Sequence, residues 1–210
     1  MQERIRKRLR VEVKKYLSVP AFKRKWQEDQ QKGAGYYYAL IYFPILSFFK
    51  EHQPLSDALD VKVALVFSWN PRICEVTRDR FEQAEKELAA LEGSAQRELK
   101  AKGILDVDPE RVIHELWYPV KKATSKRDTS SGVSVTKYLH FSFPRIFPMI
   151  DLKTMKHLSR RNTLDLNSYS AFVLAWKDVY GRCSASFDRI GKATKMPVAR
   201  VLDVMIFTPR

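Results

Sequence analysis

The sequence predicts an all-α protein. Three observations carry that reading. Apolar residues recur at helical spacing in most segments. Prolines and an Asn-Pro pair punctuate those segments, and no alternating stretch ends in an Asn-Gly or Asp-Gly hairpin turn. With 210 residues, 45% of them hydrophobic, the chain can bury a sizeable core.

The elements follow in order. Residues 2–17, QERIRKRLRVEVKKYL, place Ile5, Leu9, Val13 and Leu17 four apart, one apolar stripe on a cationic helix. Such a helix can dock by its stripe, or lie on DNA or on an anionic membrane surface. Residues 36–52 read as a buried aromatic helix, kinked or ended near Pro44. Ser56 and Asp57 offer caps to DALDVKVALVFSW, whose dense apolar run suits a strand or a buried helix; the helical context favours helix. Asn70–Pro71 breaks it. Thr77 to Lys102 is the clearest amphipathic region, with Gly93 a point of interruption. Asp108–Pro109 opens PERVIHELWYPV, with Pro at the first helical position.

Residues 121–134, KKATSKRDTSSGVS, read as a basic loop and as the boundary between two lobes. A helix over 134–143 is ended by Pro144, and Pro148 shapes the following turn. Asp151 caps LKTMKHLSRR. Asn167 or Ser168 caps SYSAFVLAWKDVYGR, with Gly181 near its C-terminal end, and a last helix, VARVLDVMIF, follows Pro197. The expected organisation is a basic helical segment over 1–32, a first helical lobe over 33–120, and a second lobe over 121–210.

Charge supplies the first functional clue. The chain carries a formal +14, unevenly spread. Residues 1–25 hold ten Lys/Arg against two acids, residues 26–120 hold eleven against sixteen, and residues 121–210 hold seventeen against six. Two basic segments around an acidic middle match a polyanion footprint, and double-stranded DNA is the expected partner.

Several other classes score poorly. No run reaches the ~18 apolar residues of a membrane helix, and the N-terminus has no signal-peptide pattern. A soluble cytoplasmic monomer without cofactors is expected, nucleoid-associated if bacterial. Cys74 and Cys183 are too few for a cysteine-only zinc or iron–sulfur site. His52, His114, His140 and His157 show no metal-ligand spacing. GKAT at 191–194 lacks the upstream glycine of a phosphate loop, and there is no G-x-S-x-G elbow.

The stretch Phe147-Pro148-Met149-Ile150-Asp151 carries the chemistry. A Gly/Ser-containing hairpin leads into a helix, then into this turn, then into a cationic helix. That order, over roughly residues 120–160, resembles the helix-hairpin-helix (HhH-GPD) DNA glycosylase superfamily. The resemblance implies a two-lobed helical bundle of that type. It makes Asp151 the catalytic carboxylate, and it puts Ser130 to Thr136 at a hairpin that grips the DNA backbone. The hairpin here is S-S-G-V-S where the family form is L-P-G-V-G. Lyase-competent members carry a lysine at a position that falls near Gly132 or Val133 here, with Lys137 about one turn beyond. The resemblance therefore implies a monofunctional enzyme, without the iron–sulfur cluster of some relatives.

The residues suit that chemistry. Breaking an N-glycosidic bond builds oxocarbenium-like charge on the sugar, which a carboxylate can stabilise while it orients or deprotonates water. Asp151 is equally an ordinary helix cap, and the two roles are compatible. Lys126, Arg127, Ser131, Gly132, Ser134, Thr136, Lys137, Lys153, Lys156, Arg160 and Arg161 are the expected DNA contacts. A flipped base needs an aromatic pocket. Tyr36, Tyr37, Trp69, Asn70 and His140 are the candidates for it, although Trp69 also suits a core, Asn70 a helix end and His140 a structural role. The competing class is a nucleic-acid-binding module on the same core that has no catalysis.

Overall fold

A computed structural model describes residues 1–31, 34–68, 76–91, 99, 103–127 and 132–206, with the backbone alone at 30 and 34–40. Its described residues form ten α-helices and one short 3-10 turn, with no strand. The helices are α1 Gln2–Lys14, α2 Val19–Gln31, α3 Ala34–Glu51, α4 Leu59–Ser68 and α5 Arg78–Ala90. After the 3-10 turn Ile104–Asp106 come α6 Pro109–Thr124, α7 Val133–Ser142, α8 Leu152–Ser159, α9 Leu166–Thr194 and α10 Val198–Ile206. The all-α expectation is met.

Periodicity decides which faces are buried. On α1 the stripe Ile5, Leu9 and Val13 docks into the core, against α8, α9 and α10. Helix α7 is buried from Val135 to Ser142, between α6 on one side and α3 and α4 on another. Helix α9 is the long strut, in contact with α1, α2, α6 and α10. One continuous buried cluster runs from Ile5 to Ile206.

Local signals hold at several ends. Asp108 Oδ1 accepts from the N–H groups of Glu110 (3.1 Å) and Arg111 (3.4 Å), with Pro109 at N1. Elsewhere the packing overrides them. Helix α2 lies in a segment where no separate helix was expected, and it is anchored by buried Phe22. Helix α3 continues through Pro44, whose ring faces solvent. Helix α4 starts only at Leu59, after Ala58 at φ 47°, and Asp57 instead faces His52 Nδ1 at 3.3 Å. Helix α6 runs to Thr124 with Lys121 buried over the Trp117 ring, so the loop expected from 121 begins later. Helix α9 is capped by Asp165, not by Asn167 or Ser168: Asp165 Oδ1 accepts from Ser168 N at 2.8 Å, and Ser168 Oγ accepts from Asp165 N at 2.9 Å. It passes Gly181 and breaks its regular geometry at Cys183, φ −131°.

Gly132 shows what the start of α7 demands. Its N–H donates to Leu164 O at 2.8 Å, and a Cβ there would lie 2.4 Å from a Trp117 ring atom and 2.9 Å from the Leu164 carbonyl. Trp117 is fully buried and cannot yield. Gly132→Ala should therefore cost about 2–4 kcal/mol by overpacking, read as a lowered midpoint in urea denaturation.

Candidate functional site

The turn between α7 and α8 is buried and held by side chains from neighbouring helices. Phe143 ends α7 with its N–H donating to Leu139 O at 2.9 Å, and Phe147 N closes a further turn on Phe143 O at 3.1 Å. Residues 147–150 are then non-helical and buried. Their backbone groups need partners, because a dry, unpaired amide or carbonyl costs as much as a lost hydrogen bond.

Side chains from three helices supply them. His140 Nδ1 lies 2.7 Å from Phe147 O. A carbonyl only accepts, so Nδ1 carries the proton, and Nε2 accepts from the Tyr42 hydroxyl at 2.8 Å. Complete burial holds the His140 pKa down at about 3, so the ring is neutral. Tyr169 Oη donates to Pro148 O at 2.9 Å. Thr136 Oγ1 accepts from Ile150 N (3.4 Å), and its one hydrogen is shared between Ile150 O (3.2 Å) and Val133 O (3.0 Å). Asp203 on α10 sits against the Met149 amide, and burial pushes its carboxyl well above the usual range. Neither of its oxygens completes a hydrogen bond of ordinary geometry. Arg200 Nη1 and His140 Nδ1 stand 3.9 and 3.8 Å from Asp203 Oδ2, and the Arg200 guanidinium lies over the Tyr42 ring at 4.8 Å.

This framework presents Asp151. Its Oδ1 accepts from Thr154 N at 2.7 Å, so the residue caps α8 as expected. Its Oδ2 has no partner among the described residues, and the side chain is half-buried. One oxygen holds the carboxylate against the start of α8, and the other makes no hydrogen bond among the described residues.

Lys137 is the second unusual group. Four lysines are buried among the described residues. Lys25 grips both oxygens of Asp29 at 2.6 Å, Lys62 donates to Pro54 O at 2.7 Å, and Lys121 lies over Trp117. Lys137 alone makes no hydrogen bond or ion pair among the described residues, although it is 8% exposed. Burial lowers its pKa to about 8, opposed by the attraction of Asp151. The two groups therefore share one electrostatic neighbourhood, which a residue one turn beyond the expected lysine position was not expected to reach.

The expected DNA contacts divide. Lys126, Arg127, Lys153, Lys156, Arg160 and Arg161 are exposed. Arg160 is the left-handed C-cap of α8. Gly132 and Thr136 are buried and use their polar groups internally, as Ser134 does in donating to Thr124 O at 3.1 Å. Ser131, Trp69 and Asn70 lie outside the described residues, as do the side chains of Tyr36 and Tyr37. His140 is fully buried with both ring nitrogens engaged. Sequence reading missed Tyr169, Tyr42 and Asp203. Only Asp203 left a signal, as a carboxylate inside the apolar run VARVLDVMIF. Among the described residues no cluster of three or more His, Cys, Asp or Glu is placed to hold a metal ion. The chain matches no protein-family model, no curated protein and no solved structure.

Lys137→Met removes a buried charge whose desolvation outweighs its attraction to Asp151, so it should stabilise the fold at pH 7 by about 1–3 kcal/mol. The sign with pH follows. The folded pKa, about 8, lies below the ordinary 10.5, so the unfolded chain binds more protons between those values and the wild type gains stability as pH rises through them. The advantage of the variant should shrink from pH 8 to pH 10, measured by urea denaturation of both proteins.

Proposed function

We propose that this chain is a monofunctional DNA glycosylase of the helix-hairpin-helix kind. It binds duplex DNA, takes a damaged or modified base out of the stack, and hydrolyses its N-glycosidic bond. The observation that carries the reading is Asp151: a carboxylate with one oxygen bound and one unpartnered, at the head of a helix whose outer face is cationic. The resemblance over residues 120–160 gives that geometry its chemistry.

In the proposed step the C1′–N bond breaks and its electron pair leaves with the base. The sugar gains positive charge, which Asp151 stabilises. Water adds to C1′ and gives a proton to Asp151, leaving an abasic site. Phosphates on either side meet Lys153, Lys156, Arg160 and Arg161. Repair of lesions and attack on modified phage DNA both fit.

The test is mass spectrometry of bases released from cellular and phage genomic DNAs. Asp151→Asn should cut release by at least about 100-fold while duplex binding stays within about twofold. An unchanged rate sinks the assignment. Salt-sensitive binding with no base released from any DNA would favour the non-catalytic module instead.

Lys137 supports a second reading. An amine with a pKa near 8 in a dry site is a competent nucleophile. It would attack C1′, displace the base and form a Schiff base with the opened sugar, and strand cleavage would follow. Borohydride reduction should then leave a covalent protein–DNA adduct that Lys137→Met abolishes; the monofunctional reading expects no adduct.

A further inference from the structure

We infer that α1 is a second DNA-backbone element, continuous with the cationic face of α8. The inference rests on the DNA-binding part of the reading above and extends it to a helix outside residues 120–160, which carry the resemblance.

The placement comes from contacts. Arg4 Nη1 donates to Ser159 O at 3.5 Å, and Arg8 Nη1 donates to His157 O. Those carbonyls belong to the last turn of α8, which has no helical partners of its own. Glu12 Oε1 meets His157 Nε2 at 3.2 Å. These contacts clamp α1 along the C-terminal turn of α8, beside Lys156 and Arg160. Between Asp151 and Asp165 the chain has no acid.

The charge count points to a polyanion. Helix α1 has six basic and two acidic side chains. The nearby acids are already engaged: Glu3 with Arg6, Glu12 with Lys15 and His157, and Asp178 with Arg10 and Arg182. Lys7, Lys14, Lys156 and Arg160 are exposed and make no ion pair among the described residues. Lys7 and Lys14 are seven residues apart, two helical turns or about 10 Å, on the side away from the apolar stripe. A row of unpaired cations on rigid helices suits a phosphate backbone.

A membrane surface fits less well. Binding there needs an apolar face to insert, and Ile5, Leu9 and Val13 are at most 1% exposed, inside the core.

The experiment titrates the full chain against a ~20-base-pair duplex at several salt concentrations. Lys7→Glu/Lys14→Glu is compared with wild type and with Lys156→Glu/Arg160→Glu, with folding checked by circular dichroism. The α1 variant should bind about tenfold more weakly, whatever the DNA sequence, and should lower the slope of log K against log salt by about 1–2. Lys7→Gln/Lys14→Gln should show a smaller loss of the same kind, which keeps the test open if charge reversal disturbs folding. Wild-type binding that both α1 variants retain overturns the inference and leaves the glycosylase reading standing. Absence of wild-type duplex binding overturns both. Preference for single-stranded RNA, or capture by anionic vesicles in place of duplex, overturns the assignment of α1 to DNA.

Discussion

Between α7 and α8 four buried residues lie outside any helix and carry backbone groups that need partners, and each unmet buried group costs about 1–3 kcal/mol. The chain meets this with His140 on Phe147, Tyr169 on Pro148 and Thr136 on Ile150, while Asp203 stands against the Met149 amide. Those side chains come from α7, α9 and α10. The position of Asp151 therefore depends on how three helices pack, and a shift of any one would move the head of α8. Under the proposed function such rigid support matters, because a loosely held carboxylate would lose its electrostatic benefit to reorganisation.

Three costly groups lie around this turn, on α7 and α10. Lys137 is buried without a hydrogen bond, Asp203 lacks an ordinary hydrogen bond, and His140 is held neutral. Lys25, Lys62 and Lys121 show that this fold can satisfy a buried lysine. It gives Lys137 no hydrogen bond beside Asp151, a pattern that no other buried lysine among the described residues repeats. Groups perturbed by burial and a nearby opposite charge make the neighbourhood a candidate site, which is why the proposed function is placed there.

The outer surface follows from the inner one. Docking the α1 stripe into the core turns the basic side of α1 outward, and the arginines at its edge find the free carbonyls at the end of α8. Packing and capping thus merge two basic segments, far apart in sequence, into one face.

How much of this was legible depended on range. The cap at Asp151, the Asp108–Pro109 start and the α1 stripe involve residues within a turn or two of each other, and the sequence displays them. Helix α2 was hidden because its apolar residues are sparse, and α3 does not end at Pro44, which sits on a solvent-facing side. Gly132 and Thr136 looked like phosphate contacts, yet packing against Trp117 and the tie to Ile150 turn them inward. The sequence by itself determined an all-α fold, the uneven charge and the capping carboxylate, because helix period, composition and caps are local properties. Only the tertiary structure decided that Lys137 stands near Asp151, that Tyr169 reaches Pro148 and that α1 lies on α8. Those pairings join residues 14, 21 and about 150 positions apart, and no local pattern encodes where a folded chain will bring such residues together.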